Sequence, residues 1–154
     1  MGAVTYPHDD VRRALTRAFV CYKLNLKEPH PDYREASRET RIPWAPTFVF
    51  TDAAGREIRR WTGWLPPGEF ITELALTRGL YQVQKGRFAE AFETLSPLGD
   101  SPEALYWAGM AAFRDSGEMA DLATHWNALR ERHPGSTWAT RASVIDEWDG
   151  AGGA

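Results

Sequence analysis

Apolar side chains recur at helical spacing near the start of the chain: Val11, Leu15, Ala18 and Phe19 fall on one face, behind Asp9 and Asp10. Asp9 can cap a helix and both carboxylates suit its positive end, so a helix is predicted over about 9 to 18. The pattern then changes. Phe19-Val20-Cys21-Tyr22-Lys23-Leu24-Asn25-Leu26 is apolar on both faces, as expected of an inner strand covered by helices, and Pro29 and Pro31 close it. Asp32 to Thr40 reads as a short polar helix. Thr47 to Thr51 and Glu57 to Thr62 flank Asp52-Ala53-Ala54-Gly55, which predicts a β-hairpin. After Gly63-Trp64-Leu65-Pro66-Pro67, a helix starting near Gly68 carries Phe70, Ile71, Leu74 and Leu76.

From about residue 78 no further strand-like run occurs and a doubled helical pattern takes over. Gly79 and Gly109, Gly86 and Gly117, and Pro102 and Pro134 are each separated by about 30 residues, which predicts two helix-turn-helix units of similar length. A third partial helix follows, to about Trp148, and the glycine-rich end from 150 to 154 is expected to be disordered. The predicted organisation is an α/β unit over 1–77, a helical repeat unit over 78–149 and a tail.

The chain of 154 residues is long enough for one ordinary domain or two very small ones. Its 43% hydrophobic and 25% charged residues suit a globular protein, and a net charge of -3 gives no basic field for nucleic acid or an anionic membrane. No apolar run approaches the roughly 18 residues that a membrane span needs, and the N-terminus has no export signal. Cys21 is the only cysteine, which excludes an internal disulfide, a CxxC pair and a cysteine-based zinc site. A cytoplasmic setting is expected by default.

Thr40-Arg41-Ile42-Pro43-Trp44-Ala45-Pro46 is the segment that local patterning explains least. Each proline removes a backbone donor and pushes the preceding residue, Ile42 or Ala45, towards extended geometry, so no helix passes through. Trp44 beside free backbone groups would make a rigid platform for a peptide. The competing reading is that Trp44, Trp61 and Trp64 glue the sheet to the helices.

Other candidates are weaker. Cys21 has Lys23 two residues away on the same face of a strand, and a nearby ammonium lowers a thiol pKa, so Cys21 is the one candidate redox residue. An inner-strand cysteine would instead be buried packing. His8, Asp9 and Asp10 point in different directions from a helix start, and His30, His125 and His133 fit no metal spacing. No phosphate loop, dinucleotide fingerprint or nucleophile elbow is present. No metal site and no cofactor is expected. Tyr106, Trp107, Phe113, Trp126 and Leu129 are spaced for a helix-pair core.

The order strand, helix, proline-led strand, hairpin, glycine, helix resembles the C-terminal two-thirds of a thioredoxin domain. The residues that carry the likeness are Tyr22-Lys23-Leu24-Asn25-Leu26, Ala45-Pro46-Thr47-Phe48-Val49-Phe50, Asp52-Ala53-Ala54-Gly55-Arg56-Glu57, and Gly63 with Leu65-Pro66-Pro67-Gly68-Glu69-Phe70. The whole chain is similar to bacterial thioredoxin-family proteins that carry a C-terminal tetratricopeptide-like helical repeat. The fold class so implied is α/β plus α, an incomplete thioredoxin-like sheet followed by that helical unit. The resemblance implies a cis bond between Ala45 and Pro46. It also implies that Trp44, Ala45 and Pro46 line a groove for extended polypeptide.

The family's CxxC has no counterpart here, nor has the central strand before it. Without that strand, the segments 19–26 and 47–51 would expose unpaired amides along apolar edges. The two can close up and pair directly, a second copy or a partner can add a strand, or Met1 lies inside a longer reading frame. Two functions are therefore expected in competition. One is a redox-inactive module that binds a protein or peptide client as a co-chaperone or adaptor, with a homodimer through the exposed edges. The other is a thiol-disulfide oxidoreductase of cell redox homeostasis whose CxxC segment is missing from this chain.

Overall fold

Asp52 organises the first regular feature beyond the leading helix. Its carboxylate accepts hydrogen bonds from the backbone N–H of Ala54 at 2.9 Å and of Arg56 at 3.0 Å, and the Arg56 side chain closes on it at 2.6 Å. The chain therefore reverses between β1 (Thr47–Thr51) and β2 (Glu57–Thr62), which pair antiparallel from Thr47↔Thr62 through Phe50↔Arg59. The next pair is Thr51↔Glu57, so Ile58 is an extra residue and the ladder bulges there. The structure, a computed structural model, describes residues 5–25, 31, 32, 34, 42 and 44–151. It divides into two compact units, Met1–Leu74 and Ala75–Ala154.

In the first unit, α1 (Asp9–Ala18) begins and ends where the apolar spacing places it. His8 occupies the capping position without a side-chain bond, so Asp9 is not the cap. Asp9 and Asp10 act instead as charges in the first turn, with Arg17 in the last. Val11 on α1 meets Phe70 and Leu74 from α2 (Pro67–Gln84), and Phe48, Phe50 and Trp61 of the hairpin complete this core. Alternation along a strand puts Phe48, Phe50 and Trp61 on one face. Trp61 stacks on both phenyl rings with centroids 4.9 Å apart, and Phe70 meets Trp61 and Phe48 edge-on at 5.7 and 5.2 Å. Arg59, next to Trp61 but one, reaches Glu73 on α2 at 2.8 Å.

The inner strand expected over 19–26 is not formed. Phe19 has extended backbone, φ -135° and ψ 146°, but residues 19–25 carry no regular structure, and among the described residues the sheet consists of β1 and β2 alone. Among the described residues, 19–25 do not close onto β1. The reason is physical: an apolar two-faced segment is a strand only with hydrogen-bonded neighbours and cover on both faces, and here Val20 and Tyr22 face water. Of the polar helix expected over 32–40, Asp32 and Arg34 are helical and the rest lies outside the described residues.

The second unit begins in the latter half of α2, where Leu76, Leu80 and Val83 pack with Ala91 and Leu95 of α3 (Phe88–Leu95) and Ala104 and Ala108 of α4 (Pro102–Ser116). A neighbouring core joins Leu122, Trp126 and Leu129 of α5 (Met119–Arg132) to Ala142 and Ile145, from α6 (Thr137–Ala142) and α7 (Ile145–Ala151). Serine caps set two of these starts: Ser101 Oγ accepts from Ala104 N at 3.3 Å, ahead of Pro102, and Ser136 Oγ accepts from Ala139 N at 3.0 Å.

The recurring glycines fall in matching places. Gly86 and Gly117 follow α2 and α4 with φ +70° and +80°, the left-handed geometry in which glycine carries no Cβ penalty. Gly79 and Gly109 lie where helices touch: a Cβ on the first would overlap Leu95, and one on the second would sit 2.8 Å from Trp126 Cδ1. The third helix is not continuous. Ser143 Oγ donates to Thr140 O at 2.8 Å, and the turn at Ser143 and Val144 lets Ile145 enter the core 1% exposed. Helical backbone then reaches Ala151, past the expected start of the tail at 150, and residues 152–154 lie outside the described ones.

Candidate functional site

The loop before β1 is built from short local bonds. The Ala45–Pro46 peptide is cis. Thr47 Oγ1 donates to Trp44 O at 2.6 Å and lies 3.1 Å from Thr62 Oγ1 across the hairpin. Gly63 N donates to Pro46 O at 2.8 Å. Below this, Thr5, fully buried, donates its hydroxyl to Leu65 O at 2.8 Å. The carbonyls of Trp44 and Pro46 are thus both engaged, and the backbone on either side of Ala45 is held.

What this leaves outward is specific. Ala45 is exposed, and among the described residues its N–H and C=O make no hydrogen bond. Trp44 is 72% exposed and Trp64, just past the far end of β2, is 52% exposed. Two indoles therefore flank the open end of the hairpin. An exposed aromatic on a fixed backbone, beside a donor and an acceptor with no internal partner, can lay its ring against an apolar side chain while pairing with an extended main chain. The three residues expected to act together, Trp44, Ala45 and Pro46, are brought together by the loop. Thr47, Thr62, Gly63 and Trp64 support or extend it, and the sequence reading gave them no such role. The signal for Thr47 and Thr62 lay in the hairpin register, which puts the two hydroxyls opposite each other.

The expected gluing role separates the tryptophans. Trp61 belongs to the core, with its Nε1 buried and without a partner among the described residues, whereas Trp44 and Trp64 face water. Cys21 is exposed rather than buried in a strand, and no hydrogen bond, ion pair or ring contact among the described residues joins it to Trp44–Pro46. Burial raises the Tyr6 phenol above its ordinary range, and the thiolate form of Cys21 adds to the rise. Of the histidines, His8 lies 3.8 Å from Asp10, His125 packs on Phe92, and His133 Nε2 sits 3.0 Å from Gly99 O, while His30 lies outside the described residues. No group of three or more His, Cys, Asp or Glu that could hold a metal ion occurs among the described residues. No helix among them is long and apolar enough to cross a membrane.

Neither a curated protein nor a solved structure matches the chain. A family model described as "Thioredoxin-like domain" matches residues 1–77, which include α1, the Trp44–Pro46 loop, the whole hairpin and the first half of α2. That match spans half of the 154 residues, and the chain belongs to the thioredoxin-like domain family.

Proposed function

We propose that this chain is a redox-inactive thioredoxin-like interaction module that holds extended or unfolded polypeptide at the Trp44-Ala45-Pro46 loop, in the manner of a co-chaperone or adaptor. The observation that carries this reading is the exposed Trp44 indole beside an Ala45 backbone with no hydrogen bond among the described residues, on a loop held through the Trp44 and Pro46 carbonyls. A client strand would pair with Ala45 and place an apolar side chain on the indole. The helices after residue 78 are read as tetratricopeptide-like repeats, supported by Gly79 and Gly109 at matching helix contacts, and they add protein-binding surface. A cytoplasmic setting fits the single free thiol.

A second reading, thiol-disulfide oxidoreductase, is favoured by the family match and by the exposure of Cys21. With one cysteine in the chain, a two-thiol cycle would need a second sulfur from elsewhere. Two assays separate the readings. A reduced, carboxymethylated unfolded client labelled for fluorescence anisotropy should bind the wild type, and Trp44→Ala should weaken it by about tenfold, roughly 1.4 kcal/mol, while the melting temperature moves only a few degrees. If Trp44→Ala unfolds the protein, the platform reading is wrong. Insulin-disulfide reduction should not exceed that of Cys21→Ser; turnover at thioredoxin-like rates would transfer the assignment to the oxidoreductase.

A further inference from the structure

We infer that Tyr106, Trp138 and Arg141 form a carboxylate-binding site in the second unit, one that takes an acidic side chain of a partner polypeptide. Arg141 follows Trp138 by one helical turn on α6, so the two share a face, and the guanidinium carbon stands 4.4 Å from the indole centroid. The same indole meets the Tyr106 ring of α4 at 5.1 Å, with planes tilted by 48°. Tyr106 is itself stacked on buried Trp126 at 4.6 Å, which anchors the group to the core. Arg141 is exposed, and Tyr106 and Trp138 are half-buried.

The three side chains offer donors and lack an acceptor. A guanidinium and an indole N–H can only donate. Burial, above all, holds the Tyr106 phenol above its ordinary value, with the Arg141 charge pulling the other way, so the phenol keeps its proton and can donate as well. Among the described residues Arg141 makes no ion pair, and Tyr106 Oη and Trp138 Nε1 make no hydrogen bond, yet neither atom is sealed from solvent. Arg130 on α5 shows the contrast, holding Asp146 through two bonds of 2.7 and 2.8 Å.

The missing acceptor is a carboxylate on grounds of charge and shape. One positive charge and two neutral donors balance a monoanion, whose two oxygens also match the guanidinium fork, whereas a phosphate dianion would keep a surplus charge. A guanidinium laid on an indole and a phenol locked in a stack lose little freedom on binding. The apolar surface of Trp138 beside them receives the methylene stem of a glutamate, which favours a side chain over a free carboxylate ion. Arg114 lies over the Phe88 ring at 4.8 Å and supplies the control, a cation on an aromatic face whose ring carries no donor.

The site lies wholly within α4 and α6, so its test is independent of the Trp44 loop. The isotope-labelled full chain is titrated with tetraglutamate blocked at both termini, with tetraglutamine blocked alike, and with inorganic phosphate. Magnetic resonance follows the Trp138 indole and Arg141 guanidinium N–H signals. The glutamate peptide should shift both saturably, and the other two probes should not. Arg141→Gln should weaken binding by about tenfold and Tyr106→Phe, which keeps the stack, by about threefold, each with an unchanged circular dichroism spectrum. Arg114→Gln and Trp44→Ala should bind the glutamate peptide as the wild type does. Equal shifts with tetraglutamine, a response to phosphate alone, or undiminished glutamate binding by Arg141→Gln would each overturn the inference.

Discussion

Gly109 lies so close to Trp126 that a methyl group built on it would stand 2.8 Å from Cδ1 and 3.0 Å from Nε1 of the indole. The ring has little room to retreat, because it is 1% exposed, stacked on Tyr106, and fixed by a 3.1 Å hydrogen bond from Nε1 to Tyr106 O. Gly109→Ala therefore sets two terms against each other. Helix propensity favours alanine by about 0.5–1 kcal/mol, and overpacking costs about 1–3 kcal/mol. A net loss of stability is expected. Chemical denaturation should show a lower midpoint with an unchanged slope, and a stabilised variant would mean that the indole moves freely.

Phe70 is the residue on which the first core converges, in contact with Tyr6, Phe48 and Trp61 and 1% exposed. Phe70→Ala removes the ring on which Tyr6, Phe48 and Trp61 converge and leaves a cavity among them. A loss of about 3–5 kcal/mol is expected. Proteolysis should then cut first within residues 5–65, and equal protection of wild type and variant would contradict the packing.

Ser136 begins α6 by accepting from Ala139 N, and α6 is only 6 residues long, so its cap is a large share of its hydrogen bonding. Ser136→Ala should cost about 1 kcal/mol, and Ser136→Asp, which keeps an acceptor at the cap, should cost much less. Thermal melts of the three proteins decide this; equal losses in both variants would show that the cap contributes nothing.

Acid should weaken the hairpin through Glu57. Its hydrogen bond from Arg60 (Nε to Oε1, 2.7 Å) holds the carboxyl below its ordinary value of 4.5. A depressed folded-state pKa means that the unfolded chain takes up the proton first as pH falls. The contribution is therefore complete above the unfolded-state value and is lost as pH drops through the folded-state one. The pair is largely exposed, so the effect is small and screened by salt. Denaturation midpoints at neutral pH and at about pH 3.5 should differ less for Glu57→Gln than for the wild type, and an identical pH dependence would remove Glu57 from the account.

Local chemistry made α1 and the hairpin legible in the sequence, while the cis bond before Pro46 was legible only through the family resemblance. The carboxylates at 9 and 10 and the Asp52-to-Gly55 turn each act within a few residues. The segment 19–26 was misread because its two-faced apolar pattern describes the neighbours that a strand requires, and pattern alone does not say whether they are present. The break between α6 and α7 was missed for a related reason: Ser143 and Val144 are no helix breakers, and the turn there follows from where Ile145 packs. At the Trp44 loop, residue identity pointed to an aromatic held on a proline-rigidified backbone, and its indole is exposed. The clamp formed by Thr47, Thr62 and Gly63 depends on register, which sequence spacing leaves open.

The stack of Tyr106 on Trp126, with centroids 4.6 Å apart and planes 18° from parallel, has an optical consequence. Trp138 and Trp148 lie within 5.1 and 6.3 Å of these rings, so their excited states couple. The helical part of the chain thereby carries its own chiroptical label in the near ultraviolet, and tyrosine emission is quenched by transfer to indole while the helices stay assembled. Loss of that signal, read without any dye or tag, would time their separation during unfolding.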